Sequence, residues 1–343
     1  MADAHLFSQV TLPSLFVQPP APPESTTDPI GDLLSLLQNI DSAKPYSTLI
    51  SITYLTRQVI TTTSASDENI ATLYALWELH LTALIFAHEL TLAQQEAKRL
   101  SIALDSIVKS KNPKSSNSAA ASLFPLNTPL SLRSLLVRLR SSGPTVQFIN
   151  EGYALLWDQR VKYTETKDNG EKEKIQAVIS VLSYGIGAAL VAKREYGTFL
   201  SLACSVDNPQ MWFAATLVSL MKGDWDEANS YFGKLDDLTD CVEALSEVLA
   251  TVNPVLDSKS DDTGLEVELK IEKLEDLFAL IKDQMITGRT VCALCAMFEL
   301  NVRDSEKTGS DLFGANLEGP MAPLMRENFK LWRRKASKVY TFE

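Results

Sequence analysis

From Ile30 onward, apolar residues recur every three or four positions, the period of a helix with one buried face. Leu33, Leu34, Leu36, Leu37 and Ile40 predict a short helix, with Asp28 as its cap and Pro29 at its first position. Leu49, Ile52, Tyr54, Leu55, Val59 and Ile60 predict a second. A third, capped by Asp67, carries Ile70, Leu73, Leu76, Trp77, Leu81, Leu84 and Ile85, and Gln94 to Val108 returns as its partner. Leu132, Leu135, Leu136 and Leu139 share one face of a helix from Leu130 to Arg140, which Gly143-Pro144 stops. A helix over 145–163 comes next, then a charged turn from Lys167 to Lys174. Helices over Thr239 to Thr251, Leu265 to Ile286 and Thr290 to Val302 close the pattern. No run alternates β-branched and polar residues, so the sheet content is expected to be close to nil.

Between Ser183 and Leu235 a single helix-turn-helix pattern occurs twice. The clearer copy reads Trp212, Ala215, Thr216, Gly223, Trp225, Ala228, Phe232. A bulky residue, small residues one turn on, a turn glycine, an aromatic, then Ala and an aromatic four apart is the spacing of a tetratricopeptide repeat. The preceding copy places Ser183, Gly187, Tyr196 and Ala203 in the matching positions. Gly187 and Thr216 are expected to let the paired helix approach, with Tyr196 and Trp225 buried behind it. A unit of this kind cannot bury its apolar face alone, so it stacks on neighbours. The expected fold is therefore all-α, an α-α superhelix or TPR-like helical-repeat solenoid.

Four segments follow from these patterns. Residues 1–29 read as a Pro-rich extended arm, in which Leu12, Leu15, Phe16 and Val17 are the residues able to dock. Residues 30–108 hold N-terminal helical hairpins. Residues 109–128 are a polar linker or insertion. Residues 129–343 carry the TPR-like repeats and end in a basic tail.

Composition narrows the partners. The 343 residues carry a net charge of -11, which argues against nucleic acid, since phosphate binding needs a basic footprint. Cys204, Cys241, Cys292 and Cys295 are too few for a disulfide framework in a chain of this length. The first residues lack a signal-peptide pattern, and no stretch reaches eighteen uninterrupted apolar residues. The expectation is a cytosolic protein in a reducing compartment.

No catalytic or metal constellation emerges. Cys292-Ala-Leu-Cys295 lies inside an apolar helical run, not at a helix start behind a strand where its thiols would be activated. A zinc site would need two more ligands than this pair supplies. His5, His80 and His88 are the three histidines; His80 and His88 fall on one predicted helix without metalloprotease spacing. Tyr184-Gly185-Ile186-Gly187 lacks the third glycine and the preceding strand of a dinucleotide site. The expectation is a non-enzyme with no cofactor and no metal. Two basic features read as partner contacts: Arg133 and Arg138 on the Leu130 helix, and Phe329, Trp332, Arg333 and Arg334 in the C-terminal tail.

The run Thr290 to Leu300 (TVCALCAMFEL), behind Leu274-Glu275, resembles the C-terminal signature of subunit 12 of the TRAPP (transport protein particle) complex. Pro125 to Arg133 is similar to that family's stretch between its first helices and its repeats, and Asn328 to Leu331 to its short C-terminal end. The resemblance implies a scaffold subunit of a vesicle tether whose whole assembly promotes nucleotide exchange on a Rab-type GTPase. It implies other TRAPP-type subunits as partners and a peripheral location at Golgi and ER-Golgi membranes, reached only through the complex. Traffic from endoplasmic reticulum to Golgi and autophagy are the processes it implies. The competing expectation is a stand-alone TPR-like adaptor for a peptide or chaperone tail. That reading wants a basic clamp on inner helices, whereas Lys193, Arg194 and Lys222 fall in turns.

Overall fold

The computed structural model describes residues 8–17, 28–38, 45–66, 69–111, 124, 125, 128–141, 146–206, 208–235 and 275. Among them there are ten α-helices and no strand, so the fold is all-α. They fall into two compact units, the first ending at Ser141 and the second beginning at Val146.

The first unit contains α1 (Pro29–Gln38), α2 (Pro45–Thr62), α3 (Ile70–Phe86), α4 (Leu90–Lys111) and α5 (Leu130–Ser141). Asp28 caps α1 as expected, its carboxylate accepting the Gly31 N–H at 3.1 Å. Helix α3 does not begin at an Asp67 cap. Asn69 stands at its cap position, and that side chain is spent on Ser64 and Ser66 of the preceding loop. Helix α4 runs through Lys111, beyond the expected end at Val108. Leu33, Leu49, Ile52, Leu55, Ala83 and Ala87 form one apolar cluster between α1, α2 and α3. Helix α5 packs on α4 and α3, so residues 130–141 belong with the N-terminal helices and not with the later ones.

The second unit contains α6 (Val146–Glu165), α7 (Asn169–Ala192), α8 (Tyr196–Cys204), α9 (Pro209–Lys222) and α10 (Trp225–Phe232). The charged turn expected over 167–174 is mostly helix. Asp168 accepts the Glu171 N–H at 2.9 Å, and the stretch becomes the first turns of α7. Helix α7 has the length and apolarity to cross a bilayer, yet Ile179, Tyr184, Ile186, Leu190 and Val191 are buried in the unit's core. Along α9, Met211 and every residue from Phe213 to Leu220 are buried, as an all-round apolar helix requires. Phe199, Leu202, Ala228 and Tyr231 join the same core from α8 and α10.

One turn recurs in both units. At the ends of α3, α7 and α9, His88, Arg194 and Gly223 adopt φ of 66°, 60° and 77°. After each, the chain closes the same pair of hydrogen bonds. Glu89 N–H bonds to Leu84 O and His88 N–H to Ile85 O. Glu195 N–H bonds to Leu190 O and Arg194 N–H to Val191 O. Asp224 N–H bonds to Ser219 O and Gly223 N–H to Leu220 O. This is the Schellman arrangement, which satisfies the last carbonyls of a helix through a left-handed residue. In all three the next residue is acidic and the one after it begins a helix. The turn between α3 and α4 thus has the same geometry as the two turns within 183–235.

Candidate functional site

An added Cβ on Gly187 would lie 3.1 Å from the Phe199 ring, so this glycine is what lets α7 and α8 touch. Ala215, Thr216 and Ala228 are buried, and Trp212, Tyr196 and Phe232 pack against the same core while half-buried. Gly223 supplies the left-handed turn residue. Trp225 corrects the expectation. It is 39% exposed at the start of α10 and does not fill an interior groove. The Asp224 carboxylate accepts the Glu227 N–H, which fixes Trp225 at the first helical position, at the rim of the hairpin.

At the other end of that hairpin, away from the Gly223 turn, a small polar cluster joins α8, α9 and α10. The Tyr231 hydroxyl is 2.9 Å from Cys204 Sγ and also reaches the Leu200 carbonyl. Burial pushes the Tyr231 phenol above its ordinary range, and the Cys204 thiol beside it adds to the effect. Lys234 lies over the rings of Trp212 and Tyr231 at 5.6 and 5.2 Å. Solvent-exposed Trp157 on α6 and Trp225 on α10 are the exposed tryptophans among the described residues.

Of the expected basic contacts, Arg133 is engaged within its own unit. Its guanidinium donates to the carbonyls of Thr128 (2.8 Å) and Pro125, closing the entry to α5. Arg138 is half-buried on the same helix. Phe329, Trp332, Arg333, Arg334, Cys241, Cys292, Cys295 and His5 lie outside the described residues, as do the helices expected over Thr239 to Thr251, Leu265 to Ile286 and Thr290 to Val302, apart from Glu275.

The most elaborate polar site is one that the sequence reading did not assemble. Residues 8–17 are not an extended arm; they form two short 3-10 turns, Ser8–Thr11 and Pro13–Leu15, docked on α2 and α4. Val10, Leu15 and Phe16 are buried. The Phe16 ring stacks on Trp77 with centroids 4.6 Å apart and 8° between planes, meets the edge of His80, and lies under the Arg57 guanidinium at 5.4 Å. Four hydrogen bonds then read the arm's main chain. Trp77 Nε1 donates to Val10 O (2.9 Å), Arg99 donates to Ser14 O and Phe16 O (3.1 and 2.7 Å), and Val17 N–H donates to Glu96 Oε1 (2.8 Å).

Beneath the arm, His80 and Glu96 form a buried pair, Nε2 to Oε2 at 2.7 Å. His80 Nδ1 faces Thr56 Oγ1 and Thr53 O at 2.9 and 3.1 Å. Thr56 in turn donates to the Ile52 carbonyl. Every polar atom of the pair has a protein partner, which is the condition for placing such groups in an apolar interior. His80 is therefore a core histidine with a carboxylate beside it, while His88 leaves the helix and sits in the turn. The spacing of His80 and Glu96, sixteen residues apart on consecutive helices, carries no sequence signature. The signal that was legible is the apolar run Leu15-Phe16-Val17 inside an otherwise Pro-rich arm.

Among the described residues no group of three or more His, Cys, Asp or Glu side chains is placed to hold a metal ion. The sequence matches no protein-family model, and no curated protein or solved structure is significantly similar to it.

Proposed function

We propose that this chain is a non-catalytic scaffold that works through helical-hairpin surfaces, and that the assembly it serves is a TRAPP-type vesicle tether. The observation that carries the scaffold reading is the hairpin turn repeated at His88, Arg194 and Gly223, each followed by an acidic residue and a new helix. Helical hairpins that recur along a chain build surface for partners, and TPR-like superhelices are one such architecture. The His80–Glu96 pair supports the non-enzymatic reading: both imidazole nitrogens and both carboxylate oxygens are occupied within the fold. The specific assembly rests on the sequence resemblance at Thr290 to Leu300 and Pro125 to Arg133, with Rab-type nucleotide exchange belonging to the whole complex. On this reading the protein sits at Golgi and ER-Golgi membranes through its partners and serves secretory traffic and autophagy.

Affinity purification of the tagged endogenous protein, with mass spectrometry of what co-purifies, tests both levels. Stoichiometric recovery of TRAPP core and large accessory subunits supports the assignment. Recovery of chaperones alone would replace it with the stand-alone adaptor, and a monomer without partners would remove the tether reading altogether.

A further inference from the structure

We propose that the groove formed by α2, α3 and α4 is a peptide-binding site, and that residues 8–17 occupy it as a tethered ligand that a partner's segment can replace. This inference lies in the first unit and does not depend on the TRAPP assignment.

The groove recognises its occupant as peptide sites do. Three carbonyls and one N–H of the arm's backbone are read by Trp77, Arg99 and Glu96, contacts that any extended or loosely turned segment can make. Selectivity comes from a single aromatic slot, walled by Trp77 and His80 and closed by Arg57, which holds Phe16. Leu15 and Val10 fill smaller apolar positions, and no side-chain charge on the arm is needed. The occupant is anchored from outside by these four hydrogen bonds and by the buried Val10, Leu15 and Phe16 side chains, while its own structure amounts to two short 3-10 turns.

The floor of the groove also requires an occupant. Emptying it would strip the buried Glu96 carboxylate of its Val17 N–H and the Trp77 indole of its acceptor, and such losses are costly away from water. The arm meets that demand in cis. It is joined to α1 through residues 18–28, with prolines at 19, 20, 22 and 23. A tether of this length gives an effective concentration on the order of millimolar, so a competing segment succeeds only when it is itself held close, as within an assembly. The partner segment should be uncharged, carry an aromatic residue flanked by aliphatic ones, and leave its carbonyls free.

The probe is a fluorescein-labelled peptide of residues 8–17 (SQVTLPSLFV), followed by polarisation against the full chain. The intact chain should bind it weakly. A full chain carrying Phe16→Ala, folded by circular dichroism, should bind at least tenfold tighter, because its own arm no longer fills the slot. Adding Arg99→Ala, an exposed side chain, should reduce that binding at least fivefold without moving the melting temperature. A peptide carrying the same Phe16→Ala change should bind at least tenfold more weakly than the parent. A folded Phe16→Ala chain that takes no peptide, or an intact chain that binds equally well, overturns the proposal. A concentration-dependent dimer of the intact chain, lost in Phe16→Ala, also overturns it by showing that arms are exchanged between copies. If Phe16→Ala does not fold, a protease site placed between Pro20 and Glu24 allows the intact arm to be cut in the full chain. Exchange of the cut arm for labelled peptide then supports the proposal, and its retention against a hundredfold excess rejects it.

Discussion

The contact at Gly187 gives the sharpest test of how the second unit packs. Replacing a helical glycine by alanine ordinarily stabilises, by about 0.4–1 kcal/mol, because the unfolded chain loses freedom. At Gly187 the added Cβ would stand 3.1 Å from the Phe199 ring and 3.8 Å from Met211. Phe199 has no exposed surface and Met211 none either, so neither can retreat into solvent. Overpacking of this kind costs roughly 1–3 kcal/mol, which exceeds the entropic gain. Gly187→Ala should therefore destabilise, by about 1–2 kcal/mol. Gly197, the second residue of the paired helix α8, has nothing within 4 Å of its added Cβ, so Gly197→Ala should stabilise by about 0.5 kcal/mol. Urea unfolding followed by circular dichroism measures both. Combining Gly187→Ala with Phe199→Leu should recover about 1 kcal/mol relative to the sum of the single changes, since the two sites touch. If Gly187→Ala stabilised the chain as much as Gly197→Ala, the close approach of α7 to α8 would be refuted.

Three further outcomes are expected. Trp225→Ala should cost no more than about 1 kcal/mol, against about 3–5 for a buried tryptophan, because the ring is 39% exposed; a fall in thermal stability of the larger size would return Trp225 to the core. Arg194→Gly should raise stability by about 0.5 kcal/mol in the same urea assay, since φ of 60° is strained for a residue with a Cβ, and a loss of stability would contradict the left-handed turn. Burial and the Cys204 thiol raise the Tyr231 phenol above its ordinary 10.0, so the folded state keeps a proton that the unfolded chain gives up. The stabilisation is complete below pH 10 and declines as pH rises beyond it; Tyr231→Phe should make stability fall less steeply between pH 10 and 11, and an unchanged slope would count against the buried position.

The Pro29 helix start, the Gly223 turn and the hairpin from Trp212 to Phe232 were legible in the sequence because each depends on local chemistry. A fixed proline φ, a glycine without Cβ, and an apolar face of period 3.6 act within a few residues of themselves. The other two copies of the turn were harder to see, because His88 and Arg194 hold the left-handed position without the glycine that usually marks it. Trp225 was misjudged for a related reason: the repeat spacing places an aromatic there, but whether it is covered depends on what stacks beside the hairpin. The arm site was decided by tertiary structure alone. Phe16, Arg57, Trp77, His80, Glu96 and Arg99 come from four separate stretches, and only the packing of α2, α3 and α4 makes a slot for one ring and a partner for the buried His80 and Glu96. Local patterns therefore fixed the helices and their class, while the burial of polar groups, which needs partners distant in the chain, was settled only by the fold.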